Sequence, residues 1–213
     1  SHFMDQIEIK EMSDNSLNRV YHPVSLPQVA LPSFGLLLIS ALVIYFFSVD
    51  FSFWGDLGYW AIPLGVLGGG AMYLVLIALS TYLFDWPAVR ALNRMLVQLF
   101  GNIGWTGIVL LWLLAGVGEE LLFRVFLQNI ISDWLGWGAG LVISSMLFGL
   151  AHYVSRLYVV VTFVIGLILG AVYWYTQSAA VVMTIHFFYD LCAFTLVVKY
   201  PHKLRLGTAT SIH

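Results

Sequence analysis

The chain has 213 residues, 61% of them hydrophobic and 9% charged, with a mean hydropathy of +0.90 and a formal net charge of −2. Soluble domains carry about 25% charged residues, so this composition excludes a water-soluble fold and indicates an all-α polytopic membrane protein. The small net charge without a basic tract excludes a nucleic-acid partner, and the single cysteine, Cys192, excludes an internal disulfide framework.

Ser1-His2-Phe3 ahead of Met4 reads as a tag remnant. Residues 1–32 are polar, carry Pro23, Pro27 and Pro32, and form an expected cytoplasmic segment; no short apolar core behind a charged start suggests a cleavable signal peptide. The first apolar run, Phe34 to Val49, falls short of the roughly 20 residues a span needs and must borrow from its flanks. The second, Trp60 to Phe84, contains Pro63 and Gly68-Gly69-Gly70, which membrane helices tolerate where neighbours pack closely. In residues 85–100, Ala88, Leu92, Met95, Leu96 and Leu99 share a helical face, with Arg90, Asn93, Arg94 and Gln98 largely off it. This pattern fits an amphipathic helix in the membrane interface or a cytoplasmic connector.

The third span covers Trp105 to Ile131, and Trp134 and Trp137 mark an interfacial turn after it. Three more spans follow, at about Gly138 to Val154, Leu157 to Tyr175 and Ala179 to Val198. Cys192, in the last of them, reads as a small buried hydrophobe. With no repeat or linker in view, residues 33–199 form a single helical membrane domain of six spans plus one interfacial helix, with residues 200–213 as a cytoplasmic tail. Lys10, Arg19, Arg90, Arg94, Arg156, Lys199, Lys203 and Arg205 alternate with loops that hold Asp50, Asp56 and Asp133 and no Lys or Arg. The positive-inside rule then makes both termini cytoplasmic.

The remaining basic residue, Arg124, lies inside the third span, in Gly118-Glu119-Glu120-Leu121-Leu122-Phe123-Arg124. Charged groups near a bilayer centre each cost about 2.5–3.5 kcal/mol on insertion scales, so three in one helix need a function or a buried pairing. Glu120 and Arg124 are one turn apart and can pair, whereas Glu119 points about 100° away with no cation at helical spacing. One carboxylate is therefore expected to be structural and the other available for chemistry. His152 in the fourth span, and His186 and Asp190 one turn apart in the sixth, add three titratable groups. Taken singly, a histidine in an apolar helix is more often a packing residue; five such groups in so apolar a chain are expected to converge on one polar cavity. Carboxylate plus imidazole can activate water for hydrolysis. The same groups could ligate zinc or iron, or form the proton relay of a coupled transporter; neither His-Glu-x-x-His nor a Glu-x-x-His repeat is present.

Glu119-Glu120-x-x-x-Arg124, Phe148-x-x-x-His152 and His186-x-x-x-Asp190, in this order on separate spans, resemble the three motifs of the CPBP family. These are intramembrane proteases related to the type II CAAX prenyl endopeptidases, called Abi proteins in bacteria. The likeness covers about residues 105–198. It implies an intramembrane endopeptidase of the glutamate-protease kind in which Glu119 and His152 activate the attacking water and His186 and Asp190 support the oxyanion. Glu120, Arg124 and Phe148 are supporting residues. It implies no cofactor; a divalent metal such as zinc, held by Glu119, His152 and His186, is the alternative. The implied substrate is a membrane-embedded or lipidated peptide or protein, met at the bilayer of a prokaryotic inner or plasma membrane. One departure concerns Asp190, where the family often has Asn: an ionised Asp would repel an oxyanion and cannot act unchanged as an amide donor. Depth is a second issue. Asp190 stands about 14 Å along its helix from Lys199 and His152 only about 6 Å from Arg156, so the fourth span must run on past Arg156 or the cavity must slope inward from the cytoplasmic end.

Overall fold

The computed structural model describes residues 21–83 and 85–200, and every regular element among them is helical. Residues 1–20 and 201–213 of the two expected cytoplasmic segments lie outside the described residues, and with them Lys10, Arg19, Lys203 and Arg205. In chain order the elements are α1 (Leu26–Phe46), a 3-10 turn (Gly55–Trp60), α2 (Ala61–Tyr82), α3 (Pro87–Phe100), α4 (Trp105–Glu120), a π-helical segment (Leu121–Gln128), α5 (Asn129–Leu135), α6 (Trp137–Ala151), α7 (Arg156–Thr176) and α8 (Ala179–Lys199). By length and composition α1, the turn with α2, α7 and α8 are able to cross a membrane, and α6 is apolar but shorter.

Two boundaries depart from the sequence pattern. α1 begins at Leu26, ahead of the apolar run, because the Ser25 amide donates to Gln28 Oε1 at 2.8 Å and Pro27 occupies the first turn, where no intrahelical amide partner is needed. Pro32 then lies inside the helix and does not bound it, so α1 gains the length that the apolar run alone lacked. α6 ends at Ala151 instead of continuing to Val154, which leaves His152 at the helix end. The fourth helix stops short of Arg156, and His152, Tyr153 and Val154 of the turn that follows line a cavity.

α8 is the most buried of the four long helices, and α2, α4 and α7 all pack on it. α2 approaches through Gly65 and Gly69, one turn apart; a Cβ on Gly69 would stand 2.8 Å from the Ile185 carbonyl oxygen. On α4, Gly116 and Gly118 admit α8 and α1 respectively, just ahead of Glu119; a Cβ on Gly118 would lie 3.2 Å from the Leu37 nitrogen. The fully buried Ser40 of α1 donates its hydroxyl to the Gly118 carbonyl at 2.9 Å.

α3 is the expected amphipathic helix, but it turns Val89, Asn93 and Met95 inward. Asn93, expected off the apolar face, is buried because its Nδ2 donates to Ser80 Oγ of α2 at 3.2 Å. The Val24 amide on the Leu99 carbonyl, at 2.8 Å, and Lys199 Nζ on the Ile103 carbonyl, at 3.0 Å, gather one end of the bundle. The Ala180 amide on the Phe53 carbonyl, at 2.8 Å, ties the other. There Gly136, at φ +88°, turns the chain between Trp134 and Trp137, a backbone angle that favours glycine.

Candidate active site

Charged side chains in an apolar bundle need partners, and the five titratable residues singled out above supply one another's. Glu120 is fully buried, with Arg124 Nε at 3.2 Å from its Oε2 and His186 Nδ1 at 2.7 Å from its Oε1. The cation expected at helical spacing is present, and a second partner arrives from α8. Arg124 is equally enclosed: its Nη2 donates to the Gly166 carbonyl at 3.3 Å, and the guanidinium lies 4.3 Å from the centre of the Phe148 ring. Phe148 also meets the rings of His152, at 4.5 Å, and His186, at 5.8 Å. This one side chain is the common surface on which the arginine and both imidazoles rest.

Glu119 faces another way. Its Oε2 lies 3.4 Å from His152 Nε2 and 3.7 Å from His186 Nε2, and the side chain stays 15% exposed, against 0% for Glu120. His152 Nδ1 stands 2.8 Å from the Phe148 carbonyl, an acceptor only, so Nδ1 carries the hydrogen and Nε2 is the nitrogen turned to Glu119. His186 has no free edge: Nδ1 faces Glu120, and Nε2 faces Asp190 Oδ2 at 3.3 Å as well as Glu119. The Tyr189 ring stacks on it at 5.3 Å with planes 9° apart. Asp190 therefore sits as an acceptor beside His186, one turn along α8.

Glu119, Phe148, His152, His186 and Asp190 open on a cavity of about 390 Å³. Its wall includes Tyr153, Tyr158 and Tyr189, which the sequence reading did not single out. Tyr153 and Tyr158 lie near span ends, where aromatic residues are common interfacial anchors, and Tyr189 is one of several aromatics inside the last span, so nothing in the linear pattern marks them. The polar pairing continues away from the cavity, where Gln128 Nε2 donates to the Gly170 carbonyl at 2.9 Å.

The alternative metal set, Glu119, His152 and His186, does not make a ligand cluster. Among the described residues no group of three or more His, Cys, Asp or Glu side chains is arranged to hold a metal ion. His186 directs both nitrogens at carboxylates of its own surroundings, whereas His152 keeps Nε2 turned to Glu119.

No curated protein and no solved structure matches the chain. A family model described as type II CAAX prenyl endopeptidase, Rce1-like, matches residues 101–192, the stretch that carries the Glu-Glu-x-x-x-Arg, Phe-x-x-x-His and His-x-x-x-Asp residues. Over that stretch the chain is similar to the Rce1-like family of type II CAAX prenyl endopeptidases.

Proposed function

We propose that the protein is an intramembrane endopeptidase in which Glu119 and His152 activate water against a peptide bond of a membrane-anchored or lipidated substrate. The observation that carries this reading is the pair itself. Two acceptors, a carboxylate and the Nε2 lone pair of a histidine whose Nδ1–H is already committed, stand 3.4 Å apart at the wall of a cavity. A water on the cavity side satisfies both by donating to each. In the reaction the water oxygen bonds to the scissile carbonyl carbon, the carbonyl π pair moves to oxygen, and the water's proton passes to Glu119. The same proton is then delivered to the amide nitrogen as the oxyanion pair re-forms the carbonyl and the C–N bond breaks, leaving a carboxylic acid and a free amine and returning the site to its starting state.

The surroundings favour a substrate held in the bilayer. An apolar cleft of about 620 Å³ runs between α2, α3, α7 and α8 and shares Leu76, Leu96, Tyr158, Val161 and Ile165 with the cavity. A lipid tail or apolar side chain in the cleft would place the attached peptide at the carboxylate. The reading routes no step through a metal, so cleavage is expected to survive dialysis against a strong chelator.

The test uses purified protein in detergent and a fluorogenic peptide that ends in a farnesylated cysteine and its three C-terminal residues. Glu119→Gln keeps the shape of the side chain and removes its basicity, so the rate should fall about 10²–10⁴-fold with no change in thermal unfolding. Near wild-type cleavage by Glu119→Gln overturns the assignment. Proton-coupled solute uptake by reconstituted vesicles, with no peptide cleaved, replaces the protease with a transporter.

A further inference from the structure

A carbonyl under attack needs a hydrogen-bond donor where its oxygen becomes an anion, and the residues of the third motif do not present one. Asp190 ends in a carboxyl group in place of an amide, and Nε2 of His186 already faces Asp190 at 3.3 Å and Glu119 at 3.7 Å. A hydrolytic site with three carboxylates in contact needs its oxyanion donor from another element.

We infer that Tyr158, from the first turn of α7, is a further catalytic residue whose phenolic hydroxyl donates to the carbonyl oxygen of the substrate and to the oxyanion that forms from it. The ring lies 6.3 Å from that of His152, edge to face, and Tyr158 lines the cavity onto which the water-activating pair opens. Tyr158 lines the same cavity wall as Glu119 and Asp190. Among the described residues the Tyr158 hydroxyl makes no hydrogen bond to protein, so it is available to a substrate.

The backbone beneath it is fixed. Ser155 caps α7 by accepting the Tyr158 amide at 3.1 Å, and the Tyr158 carbonyl receives the Thr162 hydroxyl at 2.7 Å. A donor on a capped helix start loses little freedom when it binds, which is what a preorganised oxyanion site requires. Tyr153 and Tyr189 are the other phenols on the cavity wall; Tyr153 is 68% exposed, and the Tyr189 ring is buried flat against His186, a stacking that explains its place. Tyr158 also borders the apolar cleft, so a substrate seated there passes its carbonyl under this hydroxyl.

The inference rests on the protease reading, and the experiment separates the two. With the farnesylated peptide, Tyr158→Phe removes one oxygen atom and keeps the ring. The expected result is a fall in kcat of about 10²-fold, the usual effect of losing one oxyanion donor, with KM changed less than about 3-fold and thermal unfolding unchanged. A second arm replaces Asp190 with Asn in the Tyr158→Phe background. The new amide can donate to the same oxygen, and the double variant should cleave faster than Tyr158→Phe alone. If Tyr158→Phe cleaves within about 3-fold of wild type while Glu119→Gln is inactive, the protease reading stands and the role of Tyr158 falls. A loss confined to KM, or a larger loss of kcat from Tyr189→Phe, also overturns it. A wild-type protein that cleaves no substrate removes both.

Discussion

Glu119 and Glu120 are neighbours in the chain and stand in opposite surroundings. Glu120 is closed in by Arg124 and His186, with no exposed surface, whereas Glu119 meets only imidazole edges and looks into the cavity. Both oxygens of Glu120 are engaged by protein groups while Glu119 keeps an edge on the cavity, so the division of labour follows from the geometry of one helix. Removing one partner of a buried ion pair leaves the other uncompensated, at a cost of about 3–5 kcal/mol. Arg124→Ala and Glu120→Gln are therefore expected to lower the thermal unfolding temperature in detergent as well as activity. An Arg124→Ala protein of wild-type stability and no activity would move the arginine into the catalytic group.

The elements carry these side chains through departures from regularity. Immediately after Glu120 the α-helix widens into a π segment, a feature common at functional sites. Arg124 and Gln128 both turn from it onto the carbonyls of Gly166 and Gly170, one turn apart on α7. That match of polar and small residues at spacing four was written in the sequence, but pairing them needs the knowledge that the π segment and α7 are neighbours. The site motifs were legible because charge in a lipid-facing sequence is expensive and therefore informative. Ser40 and Asn93 were not, since hydroxyl and amide groups occur in spans without consequence and their partners lie on other helices. The proline at position 32 misled for a local reason: an interior proline only ends a helix when nothing else satisfies the freed carbonyl. Ser40→Ala removes the bond from α1 to the Gly118 carbonyl, which keeps the Leu121 amide as its other partner, and a destabilisation of about 1 kcal/mol is expected by thermal unfolding. An unchanged transition would mean that the helix satisfies that carbonyl by itself.

At the scale of the molecule, the described contacts put Lys199, the end of α3 and the start of α4 at one end, and the Asp50–Asp56 loop with the start of α8 at the other. α7 runs from Arg156 toward Trp174, which stacks on Trp137 at 5.8 Å, so Arg156 belongs to the Lys199 end. We propose six crossings with both termini in the cytoplasm, on the alternation of basic and acidic segments along the chain. Reporter fusions after Lys199 and within the loop before Arg90 should report the same side of the membrane. Opposite sides would refute that arrangement.

The early stop of α6 has a consequence for the lipid itself. Its 15 residues rise about 22 Å, against a hydrocarbon thickness of about 30 Å. A span this short beside longer neighbours is expected to pull the surrounding leaflet inward, bringing headgroups and water toward His152. Hydrophobic mismatch then becomes a control on turnover: thicker bilayers resist the deformation and thinner ones need less of it. In vesicles of phosphatidylcholine with increasing acyl length, hydrolysis should slow as the chains lengthen, while the same protein in detergent stays constant. A rate indifferent to chain length would mean that the bilayer does not bend to meet α6.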